Sequence, residues 1–366
     1  MTGTDRLDKS WESRVVDATI VVVCFNAREE LVSCLAALVP SLWRQVILVD
    51  NSSLTQSMEV VSARWPEIVI VRSDVNLGFA GGANLGARHA TGSVLIFLNP
   101  DTRPQASVLQ SLVERLRAAP GVAGPTILHE RVDAPEAGAL LDILGMPRSR
   151  VLADSRLPLY VSGCCLATNR SCFEQVGGFD ARYFMFTEDV EYCWQALRHG
   201  FTVSLLEDIE VSHLGGAVAP GGYRSGDDQG YLEISPARVL LRERNTTTML
   251  IACSPVTWLP AVVILSVVRT AAFAWLLARL GAYRSICGLF VGLCQIIWWI
   301  PETLRRRWRH GTSRGMTAEA WRRVVRRPFL LDHFDASHAT KLVGVEKVSL
   351  NPNRWKEAVG VVDNRD

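Results

Sequence analysis

No C-x-x-C pair and no zinc-finger spacing occurs among the nine cysteines of this 366-residue chain. Their number is odd and most lie inside apolar runs, so they read as small buried hydrophobes in a reducing compartment. An excess charge of one sign is also lacking: 39 Lys and Arg stand against 37 Asp and Glu, a formal net charge of +2. A bulk electrostatic binder of nucleic acid carries a larger imbalance, so no nucleic-acid partner is expected. No G-x-G-x-x-G occurs, which removes the dinucleotide oxidoreductases from consideration. Residues 1–17 form a polar leader, and Ala18–Cys24 after it is too short and β-branched to be the core of a signal peptide. Hydrophobic residues, by contrast, make up 48% of the chain, far too many for disorder.

What is present begins as a rhythm. Ala18–Cys24, Gln45–Asp50, Ile68–Arg72 and Val94–Asn99 are continuous apolar runs with the character of strands buried on both faces. Helical patterns over Glu29–Val39 and around 55–64, 81–90 and 104–118 separate them. Strands and helices in alternation predict a mostly parallel sheet covered on both sides, an α/β fold. Residues 129–160 read as a variable connection, Tyr160–Thr168 and Thr202–Glu207 as strands, and Glu188–His199 as a short helix. A glycine-rich loop follows from His213 to Gly222.

Composition then shifts. Asn245–Val268 carries no charge over 24 positions, and Ser285–Pro301 none over 17. About 20 apolar residues suffice to cross a bilayer. Residues 245–301 are therefore expected to be membrane-spanning or interfacial helices, with Trp258, Trp275, Trp298 and Trp299 suited to the interface. A buried helical bundle is the competing reading. Residues 302–366 are read as a polybasic cytoplasmic tail, because nine arginines against two glutamates lie between Pro301 and Leu330. Such a stretch beside an apolar segment is drawn to anionic lipid.

In a parallel sheet, ligands bind beyond the carboxyl ends of the strands. There the sequence places Asn26, Asp50-Asn51, Asn76-Leu77-Gly78 and Asn99-Pro100-Asp101-Thr102. A carboxylate at a proline-stiffened turn, Asp101, suits a hard divalent cation. Four glycines between Gly78 and Gly86 open a helix and would allow backbone N–H groups to approach phosphate. In Thr187-Glu188-Asp189-Val190, Thr187 reads as an N-cap, and the acids fall in the first turn, where the helix dipole favours the charged form a general base needs.

Together these residues resemble glycosyltransferase family 2, and within it the rhamnosyltransferase-like branch. The segments that carry the likeness are VVVCFN (21–26), VDNSS (49–53), NLGFAGG (76–82), FLNPDT (97–102), GGFD (177–180), TEDVEYCW (187–194) and HLGG (213–216). The resemblance implies a GT-A nucleotide-binding αβα sandwich over residues 18–240, followed by the C-terminal helical membrane-associated region. It implies that Asp50 contacts the nucleobase, with Asn26, Asn76 and Gly78 shaping the nucleotide pocket. Asp101 and His213 would hold Mg²⁺ or Mn²⁺ against the diphosphate, with Asn99 in place of the first acid of D-x-D. Asp189 would be the catalytic base and Glu188 would lie near the acceptor. Ala83, Ala181 and Glu191 depart from the family's frequent residues.

The expected activity is inverting, metal-dependent transfer of one sugar from a nucleotide sugar to a polyprenyl-linked saccharide or cell-envelope glycan. The expected location is the cytoplasmic face of the cell membrane, in contact with membrane lipid. By resemblance the first donor is dTDP-rhamnose, with galactofuranose, N-acetylglucosamine and mannose donors as alternatives. No Q-x-x-R-W, the mark of the family's processive synthases, occurs. The reading from another class is a catalytically silent membrane scaffold for glycan assembly.

Overall fold

Alternate residues of β1 (Val16–Cys24) feed two separate cores. Val21 and Val23 point to one, and Ile20, Val22 and Cys24 to the other. Strands β2 (Trp43–Asn51) and β4 (Val94–Leu98) divide their side chains in the same way. A strand apolar on both sides needs cover on both sides. Helices α1 (Glu29–Leu38), α2 (Ser57–Arg64) and α4 (Ala106–Ala118) supply one layer; α3 (Gly78–His89), α5 (Arg170–Val176) and α6 (Glu188–Arg198) supply the other. The computed structural model describes residues 15–27, 29–53, 57–130, 139–145, 147–149, 157–214, 236–279, 281–309, 318 and 320–325. Most of the leader, Gly215 and Gly216, the rest of the glycine-rich loop and the tail beyond 325 lie outside these.

The eight strands run in the order β3-β2-β1-β4-β9-β6-β10-β5, with β3 (Val69–Ser73), β5 (Thr102–Arg103), β6 (Gly121–His129), β9 (Cys165–Asn169) and β10 (Thr202–His213). Neighbours β1 to β4 and the pair β6–β10 are parallel; β9 lies antiparallel between β4 and β6, and β5 antiparallel to β10. The expected mostly parallel αβα sandwich is therefore present.

Two strands differ from expectation. β6 is unforeseen because it carries Gly121, Gly124 and Pro125, residues that signal a break. Proline cannot donate to the ladder. Opposite it, β10 slips register between Leu206 and Glu210. Beyond that irregularity β10 continues to His213, so His213 ends a strand rather than sitting in a loop. Part of the 129–160 connection also pairs, as β7 (Ala139–Asp142) and β8 (Pro147–Ser149), with β11 (Val324–Val325) alongside.

The glycines of the NLGFAGG stretch serve packing. A Cβ at Gly82 would lie 2.6 Å from Val23 Cγ1, and one at Gly86 2.4 Å from Val21 Cγ1. These two lie inside α3 and draw it down onto the sheet; they do not form a phosphate-cradling turn.

Between 236 and 309 the described residues form three long helices: α7 (Pro236–Cys253), α8 (Leu259–Arg279) and α9 (Tyr283–Arg309). Gly288 abuts Pro236, Gly292 abuts Leu240 and Gln295 pairs with Arg244, so α9 runs alongside α7 in the same direction. α8 returns between them, with Arg269 against Glu243 and Leu277 beside Val239. The expected boundaries at 240, 245 and 301 thus fall inside helices α7 and α9. The uncharged run from Asn245 to Val268 is not one element, because α7 ends at Cys253 ahead of Pro255. Val256–Arg279 and Tyr283–Trp308 are each long and apolar enough to cross a membrane by length and composition.

Candidate active site

The sequence places polar residues at the carboxyl ends of β1 to β4, and the fold turns them into a connected edge. Asn51, the last residue of β2, organises it. Its Nδ2 donates to Asn76 Oδ1 (3.0 Å) and to the Gly78 carbonyl (3.1 Å), and its Oδ1 accepts from Leu77 N (2.8 Å). Asn76 Oδ1 also accepts from Gly78 N at 2.9 Å. Beside this network Asp50 accepts from Ser53 N at 3.0 Å, and Asn26 N donates to Ser53 Oγ at 3.1 Å. Asn26, Asp50, Asn76 and Gly78 are therefore brought together, and Asn51 joins them. Asn51 stands in the quoted VDNSS segment, but that segment drew attention to Asp50.

Gly78 is required twice over. Its φ is +67°, and a Cβ there would sit 2.2 Å from the Phe184 carbonyl oxygen. That oxygen accepts from Ala80 N at 3.2 Å. The start of α3 is thereby tied to the loop before α6.

The second group forms where β5 meets β10. Thr102 pairs with His213 across this short antiparallel contact, which sets the neighbouring Asp101 beside the histidine ring. His213 Nε2 lies 3.1 Å from Asp101 Oδ1, and both residues are buried. His129, opposite His213 in the β6–β10 register, brings its Nδ1 to 3.3 Å from His213 Nδ1. No local spacing announces His129, because the contact bridges 84 residues. Asn99 turns the chain here: its carbonyl accepts from Thr102 N (3.2 Å) and Thr102 Oγ1 (2.8 Å).

The third group is Glu188 and Asp189 at the start of α6. Asp189 accepts from Gly163 N at 2.8 Å and from Val190 N at 2.8 Å. The next residue, Cys164, accepts through its carbonyl from Asn99 N at 3.0 Å. The 163–164 backbone thus joins Asp189 to the turn that carries Asp101. Glu188 is buried, and no partner for its Oε2 occurs among the described residues. Burial, reinforced by the neighbouring Asp189 charge, pushes its carboxyl up to about 8. Thr187 does not act as the expected side-chain N-cap; its φ is 76°. Phe184 and Phe186 are left-handed as well, at 64° and 69°. Three such non-glycine residues in four positions store strain that the surroundings must hold.

The restraint comes from α7 and α9. Asn245 Nδ2 faces the carbonyls of Tyr183 (2.9 Å), Met185 (2.9 Å) and Phe186 (2.8 Å). Arg244 Nη2 donates to the carbonyls of Arg182 and Tyr183. Asp180 of the GGFD segment is buried, which alone would raise its carboxyl, but Arg182 and Arg306 hold it below the usual range.

Residues 19–177 match the model of Glycosyl transferase family 2. They belong to that family. The protein is accordingly a glycosyltransferase. It is 24% identical over 221 residues to the low-salt glycan biosynthesis hexosyltransferase Agl10 of Haloferax volcanii, covering 57% of this chain and 71% of that one. It is 27% identical over 229 residues to the N-acetylglucosaminyl-diphospho-decaprenol L-rhamnosyltransferase of Mycobacterium tuberculosis, covering 53% of this chain and 75% of that one. Among solved structures, GalNAc-T7 with UDP, GalNAc and Mn²⁺ superposes with a TM-score of 0.52 at 14% identity, over 65% of this chain and 48% of that one. The fold of this glycosyltransferase is GT-A.

Proposed function

We propose that this glycosyltransferase moves one sugar, with inversion, from a nucleoside-diphosphate sugar to a lipid-linked or cell-envelope glycan acceptor at the cytoplasmic face of the membrane. L-Rhamnose from dTDP-rhamnose is the first donor to test. The observation that carries the reading is the Asp101–His213 pair, tied through Asn99 and the 163–164 backbone to Asp189. The rhamnosyl transfer to a diphospho-decaprenol carrier named for the mycobacterial relative supports the choice of donor and acceptor.

Asp101 and His213 fit a divalent cation by donor chemistry. A carboxylate oxygen and an imidazole nitrogen 3.1 Å apart are donor types that would hold such a cation between them. Among the described residues no three His, Cys, Asp or Glu groups form a cage by themselves. Such a pair leaves room for diphosphate oxygens. The cation, when bound, supplies neutralisation of charge on the leaving diphosphate. His129 orients the His213 ring, as outer partners of metal-bound histidines do.

Asn51, Asn76 and Asp50 shape the nucleotide side of the cleft. Asp189 takes the proton of the acceptor hydroxyl as its oxygen bonds to the anomeric carbon and the bond to the diphosphate breaks. Two backbone N–H groups donate to Asp189, while burial shifts Glu188 toward its protonated form. Unlike environments on adjacent carboxyls separate their roles.

A donor screen decides this. Nucleoside-diphosphate release is measured with Mg²⁺ or Mn²⁺ and a polyprenyl-diphosphate N-acetylglucosamine acceptor, for the wild type and Asp189→Asn. The variant should bind nucleotide normally and lose about 10²–10⁴-fold in turnover. Equal turnover would remove Asp189 from the role of base. Transfer from another nucleotide sugar would replace rhamnose, and no turnover with any donor would favour the scaffold reading.

A further inference from the structure

Helix α8 wears its polarity inside out. Ser266, Arg269 and Thr270 are buried, while Val263, Ile264, Val267, Val268 and Trp275 are between 48 and 63% exposed. Arg269 interrupts the apolar sequence because it docks the helix. It donates to the Leu144 carbonyl, to Glu243 Oε2 (3.1 Å) and to Thr247 Oγ1 (2.8 Å). Helix α9 repeats the pattern. Phe290, Ile297, Trp298 and Trp308 are 67–84% exposed. On its other side Gln295 accepts from Arg244, Arg306 pairs with Glu191, and Arg307 donates to the carbonyls of Ile251 and Ser254. Two arginines of the polybasic run thus face the protein and not lipid.

These contacts extend along α9 from Gly288 to Arg307, about 29 Å of helix. A crossing orientation would carry α7, with Arg244 and Glu243, and the Asp180–Arg182–Glu191 cluster into hydrocarbon beside it. Charged groups there are costly. A helix with one apolar face outward and a charged face held by a water-soluble body is suited to the plane of an interface. The charged residues described on the outer side are the exposed Arg279, Arg284 and Arg305 and the half-buried Glu302, with Glu302 paired to Arg305. Three of the four are basic, which complements anionic headgroups. Exposed Trp275, Tyr283, Trp298 and Trp308 are residue types that prefer the headgroup level.

We infer that α8 and α9 lie side by side in the plane of one leaflet of an anionic bilayer, apolar rows inward to the lipid, and that neither helix crosses it. This rests on the membrane location proposed above and adds the geometry.

The test measures depth. In full-length protein with Cys287→Ser and Cys294→Ser, the remaining seven cysteines are buried. Ile264→Cys, Tyr283→Cys and Ile297→Cys, each at an exposed position, are labelled singly with an environment-sensitive fluorophore. The proteins are added to vesicles of equal parts phosphatidylcholine and phosphatidylglycerol containing lipids with a nitroxide at a shallow or a deep acyl carbon. All three labels should be quenched more by the shallow nitroxide, in similar ratio, and binding should fall at least tenfold on phosphatidylcholine alone. Deepest quenching at 264 and 297, with 283 reached only by a quencher trapped in the lumen, would mean a crossing hairpin and overturn the inference while leaving the membrane location standing. Labels unquenched on bound vesicles would do the same. Absence of binding to either vesicle, with dimers in sedimentation, would assign the face to a second copy and sink both readings.

Discussion

Arg306 in α9 reaches the wholly buried Glu191 at 3.4 Å and Asp180 at 3.8 Å, so the last long helix described ion-pairs with the helix that begins at Glu188. Removing one member of a buried pair costs about 3–5 kcal/mol because the other charge is left alone. Arg306→Met should therefore lower the unfolding midpoint strongly, and adding Glu191→Gln should recover part of the loss. Denaturant melts of the single and double variants check this; strictly additive losses would show that the two side chains are not coupled.

Asn245→Ala should leave the fold intact and reduce kcat at least tenfold, with little change in nucleotide affinity. The reason is local: three carbonyls of a left-handed segment lose their shared amide donor. A change in KM alone, with kcat preserved, would assign the amide to substrate binding instead.

For the cation, His213→Ala should raise the Mn²⁺ concentration needed for half-maximal nucleotide-diphosphate release at least tenfold. His129→Phe should have a smaller effect in the same direction, since partners of ligating histidines are worth about 10–100-fold. Calorimetric titration of Mn²⁺ in the presence of nucleoside diphosphate measures it. Wild-type affinity in both variants would leave the histidine pair a purely structural contact.

Glu188 sets a pH dependence of known sign. Its folded value of about 8 lies above the usual 4.5, so the folded state holds more protons between those values. Stability then falls as pH rises through that window and levels off above it. Glu188→Gln should flatten the decline by at least about 1 kcal/mol between pH 6 and 9, about 2–4 °C in Tm for a domain of this size.

Gly78→Ala should destabilise by about 1–3 kcal/mol through the left-handed backbone alone, and more because of the Phe184 carbonyl 2.2 Å from the added carbon. A melt tests the first term. A crystal structure showing Phe184 displaced would reveal the second.

The sheet edge was legible because strands buried on both faces have few alternatives, and their carboxyl ends then collect the ligand-facing residues. Asp50, Asn76 and Asp101 could be placed on that ground, and Glu188-Asp189 by their position in the first turn of a helix. His129 could not, since its partner lies across a parallel pairing that no nearby spacing encodes. Strand β6 was hidden by its own proline and glycines, and the place of His213 at the end of a strand by the register slip that lengthens β10. The inward docking of Arg269, just past the uncharged run, was not legible either, because a sequence does not say which side of a helix meets another charge. The four glycines of 78–86 suggested a phosphate loop, yet two of them allow a helix to approach the valines of β1 and β2.

The pinning of residues 182–186 by Arg244 and Asn245 constrains how this enzyme can be handled. Cutting the chain at 240 would remove the support of the 182–186 segment along with the greasy exterior, so trimming is the wrong route to a crystallisable form. Repainting the outer rows alone, Ile264, Ile297 and Trp298 to glutamate, would detach solubility from architecture and leave every inward bond in place.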